Sequence, residues 1–126
     1  MKLAVANLKG GTAKTITSFF LATAFSRRGR TLLVDCDPQG SSLSWAARAE
    51  EDGAALPFPV VGLPVRDVPR RLKPIAVDYE HVILDTPPVE YPIVRSALMA
   101  ADAALIAVPP TGVDLDRVVP TLSARL

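Results

Sequence analysis

The sequence predicts an α/β fold in which a mostly parallel sheet is flanked by helices. Short apolar runs typical of buried strands alternate along the chain with longer segments of helical character. Such alternation favours parallel strands joined by right-handed crossovers. A Gly-rich turn at residues 8–14 separates the first strand-like run from the first helical segment, as in many sites that bind phosphate groups. We expect one domain over residues 1–126, because this length allows a single core.

The first half of the chain is expected to contain three strands and two helices. The predicted elements are strand 2–7, helix 15–28 with Gly29 as its C-cap, strand 31–35, a short helix near 41–50 and a short strand at 60–61. The first helix has one apolar side, which we expect to face the sheet, formed by Ile16, Phe19, Phe20, Thr23 and Ala24.

The second half continues the same alternation. The predicted elements are a helix around 65–77, strand 82–85, a helix near 91–100, strand 103–108 and a final helical segment over 115–126. Proline starts, interrupts or restarts a helix, and we expect that of Pro69 and Pro74 in the first of these helices and of Pro120 in the last.

Residues Lys9 to Thr15, KGGTAKT, carry the predicted phosphate-binding motif. Successive backbone N–H groups of such a turn bind anions, and the helix N-terminus adds a partial positive charge. We expect Lys14 over the β- and γ-phosphates of a nucleotide and the Thr15 hydroxyl in a Mg²⁺ site. The segment departs from the common G-x-x-x-x-G-K-[ST] pattern, since Leu8 and Ala13 occupy its two glycine positions.

Two further strand-like runs end in carboxylates. Asp35 and Asp37 follow the second strand and precede the turn residues Pro38-Gln39, and Asp85 ends the strand at 82–85. Because the carboxyl ends of parallel strands meet at one edge of a sheet, these carboxylates should converge there with Lys14. Cations and carboxylates together supply the positioning and charge neutralisation that phosphoryl transfer needs. The alternative is that the aspartates only form turns or cap a helix.

Taken together, these segments resemble the deviant Walker A motif and its companions in the ParA/MinD superfamily, in the ParA-like branch that partitions plasmids and chromosomes. The resemblance covers roughly residues 2–110 and implies a P-loop NTPase-type fold. It implies that Lys9 reaches the partner's phosphates across a nucleotide-sandwich dimer. It also implies that Asp37 orients or activates the attacking water, and that Asp85 holds Mg²⁺ through water with Asp35 as an outer-shell partner.

The resemblance carries over to a full set of site residues. The residues it implies for nucleotide binding are Lys9, Gly10, Gly11, Thr12, Ala13, Lys14, Thr15 and Ile16. Those it implies for catalysis are Lys9, Lys14 and Asp37, and those for the metal are Thr15, Asp35 and Asp85.

The function that this resemblance implies is an ATP-binding molecular switch with slow, Mg²⁺-dependent and partner-stimulated hydrolysis. Such a switch dimerises on ATP and acts in plasmid or chromosome partitioning or in intracellular positioning. Its implied partners are a second copy of the chain, a centromere-binding or other stimulating protein, and nonspecific DNA.

Two other functions stay open. Family members usually continue into further strands, so we expect a C-terminally short chain with a sheet that is incomplete relative to the family. That end and the missing glycines favour the first alternative, a nucleotide-binding or dimerisation module without competent ATPase activity. The second is a small-molecule synthetase or metabolic kinase of the wider superfamily, against which the segment Asp37-Pro38-Gln39 argues.

Composition excludes several classes of protein. The net charge of +1 gives no global sign of a nucleic-acid or membrane partner. The single cysteine, Cys36, excludes an internal disulfide and fits a reducing cytosol. Its place between two carboxylates should raise its pKa, which favours a structural residue over a nucleophile. No apolar run approaches the roughly 20 residues of a membrane span, and no signal-peptide pattern is present, so we expect a cytoplasmic protein without a membrane partner.

Overall fold

The structure is a computed structural model that describes residues 1–7, 13–88 and 90–107. Residues 8–12 of the predicted phosphate-binding turn, which include Lys9, Gly10, Gly11 and Thr12, lie outside the described residues. The same holds for the final predicted helix, 115–126, with its Pro120, and for residue 108 of the last predicted strand.

Strands and helices alternate along the described part of the chain. In chain order they are β1 (Lys2–Asn7), α1 (Ala13–Ser26), β2 (Thr31–Asp35), α2 (Ser41–Glu51), β3 (Val60–Gly62), α3 (Val68–Ala76), β4 (His81–Asp85), α4 (Tyr91–Ala100) and β5 (Ala103–Ala107). The strands form one sheet in the order β3-β2-β4-β1-β5, and every neighbouring pair is parallel. The predicted α/β fold with a parallel sheet flanked by helices is confirmed.

The central strands β2 and β4 are buried on both faces, and alternate residues along them point to opposite sides of the sheet. One face packs against α1 in a cluster that contains Val5, Ala22, Leu33, Phe58 and Ile83. The opposite face packs against α3 and α4, through strand residues Ala4, Leu32, Val34, Val82 and Leu84 and helix residues such as Leu72 and Ala97. Near-continuous apolar runs in β2 and β4 follow from burial on both faces.

The side of α1 that faces the sheet was predicted only in part: Phe19 packs against the core cluster on that face, and Thr23 is half-buried. Of the residues expected there, Ile16 is 43% exposed, Phe20 is 73% exposed, and Ala24 is also exposed. The buried positions are instead Lys14, Ser18 and Ala22, which recur at every fourth residue. Because Ser18 and Ala22 are small, α1 can lie close to the strands. Lys14, on the same side of the helix, lies at the sheet edge.

The largest differences between predicted and observed boundaries concern α1 and α3. The helix α1 ends at Ser26, and Gly29 is not a left-handed C-cap, because the only described glycines with positive φ are Gly40 and Gly53. A side chain at Gly29 would instead collide with Glu80. The helix α3 begins three residues later than predicted, after its N-cap Asp67. Pro69 lies in its first turn, where no intrahelical N–H bond is lost, and Pro74 lies inside the helix.

No helix in the described part of the chain combines the length and apolar character that a membrane crossing requires.

Candidate functional site

The carboxyl ends of three neighbouring strands define the candidate site. In the register of the sheet, Asp85 of β4 is paired with Asp35 of β2 on one side and with Val5 of β1 on the other. Lys14 is the second residue of α1, the helix that follows β1 along the chain. The structure therefore brings Lys14, Asp35 and Asp85 to one edge of the sheet, as the strand positions predicted.

Lys14 and Asp85 form a buried ion pair. The Lys14 Nζ atom lies 2.6 Å from Asp85 Oδ1, and the two side chains are only 3% and 1% exposed. A charge in such a place needs its partner, because removing one member of a buried pair typically costs about 3–5 kcal/mol. The pair places a cation in the first turn of α1, where the helix dipole also favours an anion.

The second oxygen of Asp85 is bound by Ser42, a residue that the sequence did not predict for the site. Its hydroxyl donates to Asp85 Oδ2 at 2.6 Å, and Ser42 is fully buried in the first turn of α2. The contact joins residues 43 positions apart, so no local spacing revealed it. The available sequence signal was a hydroxyl residue at the start of the helix that follows the Asp37-Pro38-Gln39 turn.

Asp35 is buried and is engaged by backbone donors. Its Oδ1 accepts the N–H of Asp37 at 3.0 Å, and its Oδ2 accepts the N–H of Leu43 at 3.2 Å. Leu43 lies in the first turn of α2, so Asp35 accepts from one of the backbone N–H groups that have no partner within the helix. The N-cap residue, Gly40, makes no side-chain hydrogen bond of this kind. Burial raises the pKa of Asp35 against the effect of these two bonds, and the charges of Asp85 and Asp37 raise it further. A capping role was the alternative interpretation of Asp35, and its metal role stays a prediction.

Asp37 is half-buried in the turn between β2 and α2. Its Oδ1 accepts the N–H of Gln39 at 2.9 Å, and its carbonyl accepts the N–H of Gly40 at 3.0 Å. This is the turn chemistry expected of an aspartate before proline. The water-activating role of Asp37 stays a prediction.

Two neighbours of the aspartates complete the described part of the site. The buried Thr86 hydroxyl donates to the Val5 carbonyl at 2.7 Å, which fixes the end of β4 to β1. The Cys36 N–H donates to the Asp85 carbonyl at 2.9 Å. Burial raises the pKa of Cys36 to about 12, with further contributions from Asp35 and Asp85. The cysteine is therefore a structural residue, as predicted.

Three more of the predicted site residues lie in the first turn of α1. Ala13 begins α1, Thr15 is half-buried and Ile16 is exposed, and their nucleotide-binding roles stay predictions. Among the described residues, no group of three or more His, Cys, Asp or Glu side chains could hold a metal ion. Proteins commonly bind Mg²⁺ through one or two carboxylates together with substrate phosphates. Asp85, with the Thr15 hydroxyl, would supply that kind of oxygen donor.

A parallel sheet with a buried lysine at the start of its first helix, beside a carboxylate that ends the neighbouring strand, defines a domain of the phosphate-loop nucleotide-binding class. Within that class, the chain belongs to the CobQ/CobB/MinD/ParA nucleotide binding domain family, whose model matches residues 3–124. The resemblance inferred from the sequence motifs is thereby confirmed.

Similar proteins include relatives that distribute or partition cellular structures. The chain is 38% identical over 123 residues to maintenance of carboxysome distribution protein A from Gloeobacter kilaueensis, covering 95% of this chain and 54% of that protein. It is 34% identical over 134 residues to the chromosome-partitioning ATPase Soj from Thermus thermophilus, covering 85% of this chain and 54% of that protein. The chain thus spans about half the length of these curated relatives.

Among solved structures, cobyrinic acid a,c-diamide synthase from Mycobacterium smegmatis with bound ADP and magnesium is similar, with a TM-score of 0.74. The match covers 98% of this chain and 66% of that chain at 23% identity. At this identity the likeness supports the fold alone.

Proposed function

We propose that this chain binds ATP with Mg²⁺ and hydrolyses it slowly, as part of a ParA-type switch that dimerises on ATP and acts in partitioning or intracellular positioning. The observation that carries the proposal is the buried ion pair between Lys14 and Asp85 at the carboxyl edge of the sheet. Membership of a nucleotide-binding family and relatives named for carboxysome distribution and chromosome partitioning support it.

The ion pair supports a ligand site because it is a poor way to stabilise a fold. Two buried charges lose their hydration, and a well-packed apolar pair of similar volume is often as stable or more stable. At the start of α1, however, the Lys14 ammonium can exchange the Asp85 carboxylate for a phosphate oxygen. Bound Mg²⁺ would supply positive charge beside the phosphates, held by Asp85 and Thr15. Each charge of the pair thus has an alternative partner of the correct sign in a magnesium–nucleotide complex.

The surroundings of Asp37 favour a hydrolase over a small-molecule synthetase. The Asp37-Pro38-Gln39 segment begins two residues after the end of β2, so it lies at the same sheet edge as Asp85. A half-buried carboxylate there can orient or deprotonate a water molecule. The likeness to a cobyrinic acid diamide synthase does not oppose this proposal, because one fold hosts many functions. The two relatives named above, at 38% and 34% identity, are a distribution protein and a partitioning protein.

The proposed partners are those that the resemblance of the sequence motifs implies. A second copy of the chain would contribute Lys9 to the shared nucleotide site. A stimulating protein, such as one bound at a centromere-like site, would accelerate hydrolysis, and nonspecific DNA would provide the surface on which the switch acts.

Phosphate release and solution size test the proposal. The wild-type protein should release phosphate from ATP slowly and should change from monomer to dimer when ADP is replaced by a nonhydrolysable ATP analogue. Asp37→Ala should keep the ATP-dependent dimer and lose turnover. Asp78→Ala, which replaces an exposed aspartate just after the end of α3, should behave as wild type. Tight ATP binding with phosphate release at the buffer background would instead identify a nucleotide-binding module without ATPase activity. Normal turnover by Asp37→Ala would refute the role of that residue.

A further inference from the structure

The two carboxylate oxygens of Asp85 are divided between two helices. Oδ1 accepts from Lys14 of α1, and Oδ2 accepts from the hydroxyl of Ser42 of α2, both at 2.6 Å. Ser42 has no exposed surface and Asp85 is only 1% exposed. The hydrogen bond therefore forms in a region of low dielectric, where a bond to a charged acceptor is stronger than in water.

This division fixes the orientation of the carboxylate. The terminal torsion of an aspartate is soft and roughly two-fold, so a carboxylate with a single donor can rotate about it. A donor on Oδ2 restricts that rotation. It also reserves Oδ1 as the oxygen whose partner changes when Lys14 moves to another anion.

Ser42 can do this because the start of α2 is itself held firmly. The N–H of its neighbour Leu43 donates to Asp35 Oδ2 at 3.2 Å. The Leu43 side chain lies so close to Gly62 of β3 that a Cβ atom there would come within 2.7 Å of it. Ser42 is thus presented to Asp85 from a helix end that is anchored on two strands.

We propose that Ser42 is a positioning residue for the magnesium site: its hydroxyl holds the Asp85 carboxylate in the orientation in which Oδ1 is available to a magnesium nucleotide. The inference rests on the proposed function, because it assumes that the site takes ATP with Mg²⁺. It adds Ser42 to that site. It also links the first turn of α2, which follows the turn at Asp37, to the orientation of the Asp85 carboxylate.

The test compares the affinity for mant-ATP, a fluorescent ATP derivative, in saturating Mg²⁺ and in EDTA. The ratio of the two affinities measures how much the metal contributes to binding. Ser42→Ala should reduce this ratio about tenfold, as expected for the loss of one hydrogen bond to a charged group. Its affinity in EDTA should stay within about twofold of wild type, because Lys14 is unchanged. Ser42→Thr, which keeps the hydroxyl, should restore most of the ratio.

The matched control is Ser44→Ala, which removes an exposed hydroxyl from the same helix and should leave the ratio unchanged. If Ser42→Ala does not fold, Ser42→Cys decides the question, since a thiol of similar size is a much weaker donor and should still lower the ratio. A wild-type ratio in a folded Ser42→Ala or Ser42→Cys variant would overturn the inference and leave the proposed function intact. An equal loss of affinity with and without Mg²⁺ would also overturn it, because that pattern indicates a merely structural role. If the wild-type protein binds no mant-ATP under either condition, the proposed function fails, and the inference fails with it.

Discussion

Removing either member of the Lys14–Asp85 pair should destabilise the protein strongly. Lys14→Met leaves a carboxylate buried at 1% exposure, and Asp85→Asn leaves an ammonium buried at 3% exposure, across a contact of 2.6 Å. An uncompensated charge at such a site costs about 3–5 kcal/mol. This is a large fraction of the roughly 5–15 kcal/mol that stabilises a typical domain.

The double variant distinguishes a charge effect from a packing effect. Lys14→Met combined with Asp85→Asn removes both charges and keeps an acceptor for Ser42. Its loss of stability should therefore be smaller than the sum of the two single losses by about 2 kcal/mol or more.

Equilibrium unfolding in urea measures these differences. Trp45 is the single tryptophan, and it packs against Phe19 with ring centroids 5.4 Å apart, so its fluorescence should report unfolding. With a slope of about 2 kcal/mol/M, a loss of 4 kcal/mol lowers the midpoint by about 2 M.

The control is Arg70→Met, which removes an ion pair of similar length, 2.8 Å, between side chains that are 77% and 42% exposed. Water screens that pair, so its loss should be close to the error of the measurement. Single losses below about 1 kcal/mol at Lys14 and Asp85, or strictly additive losses, would refute the reasoning about buried charge.

Three further predictions follow from other contacts around the site. Burial raises the pKa of Cys36 from 9.0 to about 12. At pH 8 the thiolate fraction is therefore about a tenth in the unfolded chain and about one in ten thousand in the folded protein. Iodoacetamide should alkylate the native protein at least about a thousandfold more slowly than the urea-unfolded protein. Equal alkylation rates in the two states would contradict the burial of this thiol. Because the pKa is higher in the folded state, the contribution of Cys36 to the free energy of unfolding is full below pH 9 and is lost as the pH rises towards 12. Asp35→Ala removes the acceptor of the Leu43 N–H, so hydrogen exchange at Leu43 should accelerate more than at the centre of α3, and unchanged protection would show that Asp35 does not hold α2. Gly40→Ala places a Cβ on a residue with a φ of 68° and should lower the free energy of unfolding by about 1–2 kcal/mol, with a smaller loss for Gly40→Asn; no difference between alanine and asparagine would argue against the left-handed backbone.

The fold could be predicted from the sequence because the central parallel strands β2 and β4 are buried on both faces. Burial on both faces requires continuous apolar runs such as Leu32–Val34 and Val82–Leu84, and these runs alternate with helical segments. The same topology places whatever follows each strand at one edge of the sheet. Asp35 and Asp85 could therefore be assigned to the site before their contacts were known.

The face of α1 could be predicted only in part, because apolar periodicity identified Phe19 but disagrees with the site chemistry at the other positions. Ile16 and Phe20 carry the apolar signal, yet the helix turns Lys14 and Ser18 inward. The requirement to place a lysine beside Asp85 depends on β4, which lies about 70 residues later in the chain. Local periodicity contains no information about that contact.

Ser42 was missed for a related reason. A serine in the first turn of a helix is ordinary capping chemistry from the sequence alone. Its function as a donor to Asp85 exists only because β2 and β4 are paired, with Asp35 and Asp85 in register. In the same way, the capping contact of Asp35 with Leu43 competes with the metal role that the motif suggests.

The most direct test of the proposed site is calorimetric titration with ATP and Mg²⁺ of the wild-type protein, Lys14→Met and Lys73→Met. Lys73 is an exposed lysine on α3, so its variant controls for the loss of one positive charge. The account predicts that wild type and Lys73→Met bind ATP with the same affinity, and that folded Lys14→Met binds at least about a hundredfold more weakly, as expected for a lost charge-assisted contact of about 3 kcal/mol. Equal affinity in all three proteins would show that the Lys14 ammonium does not hold the phosphates.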